Sequence, residues 1–173
     1  DSQVEPQPAP IIAHVDTIDP KQVQSDSYEQ AVKLLSNKET ANEGLLMLKN
    51  LTDNKDYKSA FLLSRLYFNS SESVKVGAFA DSVAMYRRNL GISAQNRKAH
   101  ELLKYAVSLN SEDYRSLFEL GCDYKSTMRG AKFNTDSAFI YLNKAQKLAK
   151  KAGDNEYERA IARRLSNLKP SGR

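Results

Sequence analysis

Two segments of the chain follow one pattern: DYKSAFLLSRLY at residues 56–67 and DYRSLFELGCDY at residues 113–124. Aligned without a gap, they share Asp, Tyr, a basic residue, Ser, Phe, Leu and a closing Tyr. The offset between the two copies, from Asp56 to Asp113, is 57 residues. Such an internal repeat indicates an array of similar units, in which each unit buries its apolar face against the next.

Apolar residues recur at spacings of three and four along most of the chain, which predicts amphipathic helices with one buried stripe each. No segment shows the convincing alternation that is typical of a strand. We therefore predict an all-α fold, with helices at about 26–36, 40–53 and 155–168, among others. The predicted helix starts are the capping pairs Asp26 with Glu29, Thr40 with Glu43 and Asn155 with Glu158, and the single residues Asn54, Asn110 or Ser111, and Asn134 or Asp136.

One connection, at residues 71–95, is longer than the loops of compact domains usually are. Its apolar residues predict a short extra helix, and they are Phe79, Val83, Met85, Tyr86 and Leu90. This insertion accounts for the long offset between the two copies of the repeat.

The two ends of the chain differ in composition and charge. Residues 1–24 carry four of the five prolines and are predicted to be a Pro-rich, acidic linker or arm. Residues 25–169 are predicted to form one helical repeat domain, and residues 170–173 a tail. Since the chain begins with Asp1 and a Pro-rich stretch, we expect either a mature form or a truncated one; an exported or periplasmic location is favoured, and a cytoplasmic one stays open.

The repeated segment resembles the first helix of the Sel-like repeat family, a relative of the tetratricopeptide repeat, whose pattern is similar to A-x-x-x-L-G-x-x-Y. A second pattern of that family resembles K-A-x-x-[W/Y]-x-x-K-A. The first pattern matches Ser116, Leu120, Gly121 and Tyr124, and less completely Ser59, Leu63, Ser64 and Tyr67; the second matches Ser137, Ala138, Tyr141, Lys144 and Ala145, and partly Lys98, Ala99, Leu102, Tyr105 and Ala106.

This resemblance, which covers roughly residues 26–168, implies a right-handed α-α superhelix of about three helix pairs plus a C-terminal capping helix. It also implies a non-catalytic domain that binds a peptide or protein segment in a concave groove. The groove positions carried over from the family are Lys58, Phe61, Arg65 and Phe68 in the first copy, and Arg115, Phe118, Cys122 and Lys125 in the second. Positively charged Lys and Arg side chains beside aromatic rings suit a partner segment that is acidic or ends in a carboxylate.

Two further readings of the sequence stay open. Of the 30 residues at each end, the first set carries six acids and one base, and the last set nine bases and three acids. A basic surface on the last two helices would attract phosphates or an anionic surface, although no nucleic-acid motif is visible, or would meet the acidic arm. Its residues are Lys144, Lys147, Lys151, Arg159, Arg163 and Arg164; those of the arm are Asp16, Asp19 and Asp26. A structural accessory role in a larger protein is the other alternative.

Catalytic, metal and cofactor sites are not predicted. The chain has no phosphate-binding glycine loop and no hydrolase or metalloprotease motif. Its chemistry-bearing residues are few, with His14 in the arm, His100 on a predicted helix and Cys122 as the single cysteine. One cysteine excludes an internal disulfide, and two histidines with one cysteine make a metal site improbable.

Overall fold

The computed structural model describes residues 20–68 and 79–168. Within these residues the protein is all-α, as predicted, and has no strand. In this part of the chain, a 3₁₀ turn, Met128–Gly130, lies between the sixth and seventh of eight helices. The helices are α1 (Pro20–Leu35), α2 (Ala41–Asp53), α3 (Tyr57–Tyr67), α4 (Phe79–Leu90), α5 (Asn96–Leu109), α6 (Tyr114–Ser126), α7 (Thr135–Ala152) and α8 (Asn155–Ser166).

The helices pack as three pairs: α1 with α2, α3 with α5, and α6 with α7. Each pair contacts the next through α2 on α3 and α5 on α6, and α8 covers α7 and α6 at the C-terminal end. The predicted set of three helix pairs with a closing helix is therefore confirmed. Stacking is needed because one helix pair leaves apolar surface that only a neighbouring pair buries.

The inserted helix α4 spans Phe79–Leu90, as the apolar residues of the long connection predict. It packs against α1, α2 and α3, and its buried side chains Val83, Tyr86 and Leu90 join the common core. Asn89 Nδ2 also donates a hydrogen bond to Leu35 O over 2.8 Å. The insertion is therefore part of the domain core and covers the first two helix pairs.

The repeated D-Y-x-S letters begin both helices of the repeat by the same capping interaction. Asp56 Oδ2 accepts a hydrogen bond from Ser59 N at 2.8 Å, and Asp113 Oδ2 accepts one from Ser116 N at 3.1 Å. Both serine hydroxyls also donate to the same carboxylates. Capping of this kind satisfies backbone N–H groups that have no partner inside the helix.

Two predicted caps next to these helices are wrong. Asn54 follows α2 as its C-terminal cap, and α3 is capped by Asp56 instead. Asn110 is likewise the C-terminal cap of α5, while Asp113 caps α6. The predicted cap Asn134 is correct, because its Oδ1 accepts a hydrogen bond from Ser137 N over 2.9 Å.

The predicted start of α1 at Asp26 is also wrong. The helix begins at Pro20, whose fixed φ and missing N–H suit the first helical position. The predicted linker therefore ends before residue 20, and residues 1–19 lie outside the described part of the chain.

Of the other two predicted capping pairs, Thr40 lies at the predicted N-cap position of α2 without a side-chain capping bond, and the cap at Asn155 is wrong by one residue. Thr40 precedes α2, but its hydroxyl donates to Leu34 O at 2.8 Å instead of accepting a helix N–H. α8 is capped by Asp154, one residue before the predicted Asn155, through a 3.1 Å hydrogen bond from Tyr157 N. Several polar residues stand near each helix start, so the choice of cap depends on the angle at which the chain enters the helix.

Gly121 allows the close approach of α6 to α7 that the repeat pattern predicts. A Cβ atom at this position would lie 2.7 Å from Leu142 Cγ and 3.3 Å from Ala138 O. The equivalent Ser64 in α3 is fully buried, and its hydroxyl donates to Phe61 O over 2.7 Å.

Among the described helices, none is both long and apolar enough to cross a bilayer.

Candidate functional site

The centre of the predicted groove belongs to the protein core. Every residue from Ser59 to Tyr67 in α3 is buried, and so is every residue from Ser116 to Asp123 in α6. The cause is the number of neighbours: α3 packs against α2, α4 and α5, while α6 packs against α5, α7 and α8. A helix enclosed on all sides leaves no open face for a partner.

Five of the predicted groove residues are therefore buried, which corrects the expectation that they line an open surface. Arg65 retains 5% exposure and makes an ion pair inside the core, so it is not free to meet a partner. The aromatic positions and the cysteine pack against other helices; the four are Phe61, Phe68, Phe118 and Cys122. Lys125 is partly buried, and its Nζ donates to Arg164 O in α8 over 3.0 Å.

Lys58 and Arg115 are the predicted groove residues that the structure leaves exposed. Both occupy the third position of the repeat, in the first turns of α3 and α6. Lys58 Nζ lies 5.9 Å from the centre of the Tyr28 ring. Arg115 Cζ lies 5.6 Å from the Tyr114 ring and 5.8 Å from the Tyr157 ring. We call these five residues the basic tyrosine edge.

The rings of the basic tyrosine edge are held in place by packing. Tyr114 and Tyr157 meet edge to face with their centres 5.4 Å apart, and Tyr157 also meets Phe118 at 5.8 Å. The Tyr114 hydroxyl donates a 2.8 Å hydrogen bond to Asp154 Oδ2. These contacts fix the rings before any partner arrives, which lowers the entropic cost of binding.

The electrostatics of the edge favour recognition of anions. Burial, followed by the nearby charge of Asp56, raises the pKa of Tyr28, and burial raises the pKa of Tyr157 to about 12. Both phenols therefore stay neutral near pH 7 and keep a proton that they can donate. Two cations, beside neutral rings, can hold a carboxylate while the rings supply apolar contact.

A second polar site, which the sequence did not predict, lies inside the core. Glu119 Oε1 lies 3.1 Å from Arg65 Nε in an ion pair, and its Oε2 lies 2.5 Å from Arg129 Nη2. Asp123 Oδ1 lies 2.6 Å from Arg129 Nη1, while its Oδ2 lies 2.9 Å from His100 Nδ1. These five residues form the buried ion network, which joins α3, α5, α6 and the 3₁₀ turn.

The comparison of the two repeat copies contains the signal for this network. Glu119 and Asp123 occupy the positions that Leu62 and Leu66 hold in the first copy, and both leucines are fully buried. A carboxylate at a position where the repeat places a core leucine is expensive unless it is paired. The departure from leucine was therefore readable, but the partner Arg129 lies in a connection without any periodic pattern.

The charges of the buried ion network balance within the core. Burial acts to lower the pKa of Arg129, but the carboxylates of Glu119 and Asp123 outweigh it and raise that pKa. Burial also raises the pKa of Asp123, although His100 and Arg129 act in the opposite direction. Arg129 therefore stays charged.

The C-terminal basic surface is solvent-exposed at most of its predicted positions. On α7, Lys144, Lys147 and Lys151 are exposed, and on α8 Arg159 and Arg163 are exposed while Arg164 is partly buried. Three large apolar side chains lie at the other end of α7, and the sequence reasoning missed them. They are Phe133, Phe139 and Ile140, with 64%, 53% and 63% of their surface exposed.

Metal and thiol chemistry find little support in the described residues. No group of three His, Cys, Asp or Glu residues there could hold a metal ion, and His14 lies outside that part of the chain. Burial raises the pKa of Cys122 to about 12, so its thiol stays protonated near neutral pH. His100 Nδ1 lies 2.9 Å from Asp123 Oδ2.

A scan against protein-family models and searches of curated proteins and of solved structures found no match to this chain. The resemblance to Sel-like repeats therefore rests on the repeated residues given above.

Proposed function

We propose that this chain is a protein-interaction domain of the Sel-like type, which binds an acidic segment of a partner protein at the basic tyrosine edge. The observation that supports the proposal is the exposure of Lys58 and Arg115, two repeat-equivalent cations, each beside a tyrosine ring. Repeats that present the same chemistry at the same position suit an extended segment, whose successive residues meet successive units.

The chemistry of the edge agrees with what protein interfaces use. Tyrosine and arginine are enriched among the residues that contribute most to binding, because they combine large contact area with hydrogen bonding. The acids nearest the edge are occupied: Asp56, Asp113 and Asp154 each cap a helix. These carboxylates keep their charge, and Asp113 and Asp154 interact electrostatically with Arg115, so a partner's carboxylates would compete with them for that cation.

The proposed binding surface lies at a different place from the groove that was predicted from the sequence. The groove centre is closed by core packing, so a partner segment would lie across the N-terminal turns of α3 and α6. The expectation of an acidic or carboxylate-ended partner stays a prediction.

The test uses fluorescein-labelled decapeptides that carry three glutamates at different spacings, and matched peptides that carry glutamine instead. Fluorescence anisotropy should detect binding of at least one glutamate peptide and none of its glutamine partner. The double variant Lys58→Glu with Arg115→Glu should weaken that binding at least about tenfold, because two charge-assisted contacts become repulsive.

The matched control reverses two lysines elsewhere, Lys144→Glu with Lys147→Glu, which are exposed on α7. It changes the net charge by the same amount and should leave peptide binding within about twofold, since only screened long-range attraction is altered. Equal weakening by both double variants would show that the attraction is unspecific and would refute the proposal.

A second candidate function is favoured by the outer face of α7. Exposed Phe139 and Ile140, with Phe133 just before the helix, precede the exposed lysines along the same element. Large apolar side chains beside a row of lysines suit the surface of a bilayer that contains anionic lipid. This candidate takes a lipid surface as the anionic surface, because the exposed aliphatic side chain of Ile140 beside two phenylalanines suits the apolar boundary of a bilayer.

Vesicles of phosphatidylcholine with and without 30% phosphatidylserine, used in a sedimentation assay, test this candidate. Vesicle binding should require the anionic lipid and should weaken as the salt concentration rises. Two double variants should lose it: Phe139→Ser with Ile140→Ser, and Lys144→Glu with Lys147→Glu. The control is Lys58→Glu with Arg115→Glu, which should bind vesicles nearly as well as the wild type. Loss of binding in the lysine variant alone would indicate simple charge attraction and remove the candidate.

A further inference from the structure

The guanidinium group of Arg129 occupies a site that other parts of the chain build around it. Its Nη2 and Nη1 atoms lie 2.5 and 2.6 Å from carboxylate oxygens of Glu119 and Asp123. Its Cζ lies 4.1 Å from the centre of the Phe68 ring. Two carboxylates that receive a planar fork, and an aromatic ring beside it, are the groups that recognise a guanidinium rather than an ammonium.

The host groups of this site have partners of their own, independent of Arg129. Glu119 is also held by Arg65 from α3, and Asp123 is also held by His100 from α5. Phe68 follows α3 directly and is buried in the core. The site would therefore keep its shape when Arg129 leaves, as a preorganised binding site must.

The occupant, in contrast, comes from a strained connection. Thr127 and Arg129 both adopt left-handed backbone conformations, each with φ of 52°, which cost energy in residues other than glycine. Arg129 is only 3% exposed, yet its Nε has no hydrogen-bond partner among the described residues. An unsatisfied buried donor and a strained turn both weaken the hold of the site on this particular arginine.

We propose that Glu119, Asp123 and Phe68 form a binding site for an arginine side chain of a partner protein, and that Arg129 is its resident, displaceable occupant. The connection at residues 127–134 would then swing away when a partner's guanidinium takes the place of Arg129. This site is separate from the basic tyrosine edge and takes a ligand of the opposite charge, so the proposal stands independently of the proposed function.

The experiment empties the site by Arg129→Ala and adds N-acetyl-L-arginine amide, with N-acetyl-L-lysine amide at equal ionic strength as the comparison. Thermal unfolding should show a midpoint that rises as the arginine compound is added, because the compound binds the folded variant and not the unfolded chain. The lysine compound should give less than about a tenth of that rise, because it lacks the planar fork.

Two matched variants localise the effect. Arg129→Ala combined with Asp123→Asn should lose the arginine-dependent rise, because one carboxylate of the host is gone. Lys132→Ala changes an exposed cation in the same connection and should behave as the wild type. An arginine-dependent rise that survives Asp123→Asn, or equal rises with arginine and lysine compounds, would overturn the site.

The wild-type protein tests displacement. Amide hydrogen exchange at residues 127–130 should accelerate as the arginine compound is added. The concentration needed should be at least about tenfold higher than the one that stabilises Arg129→Ala, because Arg129 competes for the site in the wild type. No acceleration at concentrations up to about a hundredfold above those that saturate the variant would overturn the claim that Arg129 is displaceable.

If Arg129→Ala does not fold alone, the same compound should restore its helical circular dichroism at 222 nm, and absence of restoration up to about 100 mM would overturn the proposal. Arg129→Lys serves as the second variant. It keeps the positive charge at this position and should still gain stability from the arginine compound.

Discussion

Replacing Glu119 by leucine should destabilise the domain severely, although leucine is what the first repeat copy carries at the equivalent position. Glu119 is 3% exposed and neutralises two arginines, at 3.1 Å for Arg65 and 2.5 Å for Arg129. Removing one partner from a buried ion pair costs about 3–5 kcal/mol, because the remaining charge has lost its solvation and its counter-charge. Since Asp123 still pairs with Arg129, we expect the lower end, about 3 kcal/mol.

Urea denaturation followed by circular dichroism at 222 nm measures this loss as a lower free energy of unfolding. For a domain of this size, about 3 kcal/mol corresponds to a fall in the melting temperature of roughly 6–12 °C. The matched control is Glu112→Leu, which removes an exposed carboxylate one residue before the Asp113 cap of α6. That variant should stay within about 0.5 kcal/mol of the wild type.

A multiple variant separates the cost of an unpaired charge from the value of the network. Arg65→Met, Glu119→Leu, Asp123→Leu and Arg129→Met together remove both acids and both arginines. This variant should be more stable than Glu119→Leu alone, because apolar side chains of similar volume often replace buried ion pairs without loss. A Glu119→Leu variant within about 1 kcal/mol of the wild type, or a multiple variant below the single one, would refute this reasoning.

Two further predictions concern packing and capping. Gly121→Ala should destabilise the domain by about 1–3 kcal/mol, because the new methyl group would lie 2.7 Å from Leu142 Cγ; thermal unfolding checks it, and a gain in stability would contradict the close packing of α6 on α7. Asp154→Ala should cost about 1–2 kcal/mol at pH 7, since Tyr157 N and the Tyr114 hydroxyl both lose their acceptor. Burial acts to raise the pKa of Asp154, but these hydrogen bonds lower it overall, so its contribution is present above about pH 4 and is lost as the pH falls below that value through the folded-state pKa. The difference between wild type and variant in urea denaturation should therefore be larger at pH 7 than at pH 2, and an equal difference at both pH values would contradict the assignment.

The sequence predicted the helices better than their ends. Apolar spacing predicted the single helices, including α4 at Phe79–Leu90, because a buried stripe is visible in one segment alone, while the arrangement in pairs came from the resemblance to Sel-like repeats. The caps were less certain, and Asp56 and Asp113 were missed although they open both copies of the repeat. Asparagine and serine residues nearby offer the same chemistry, and only the direction of the entering chain selects one of them.

The sequence by itself determined an all-α chain of repeated helix pairs, together with the residues that bury one stripe of each helix. Only the tertiary structure decided what the opposite stripe does. In α3 and α6 that stripe is also buried, so Phe61, Arg65 and Phe118 became core while Lys58 and Arg115 stayed exposed. The physical reason is that helical periodicity records the contacts of a helix with its nearest partner. Enclosure by an inserted helix, and pairing with an arginine from a distant turn, depend on elements that no local pattern connects.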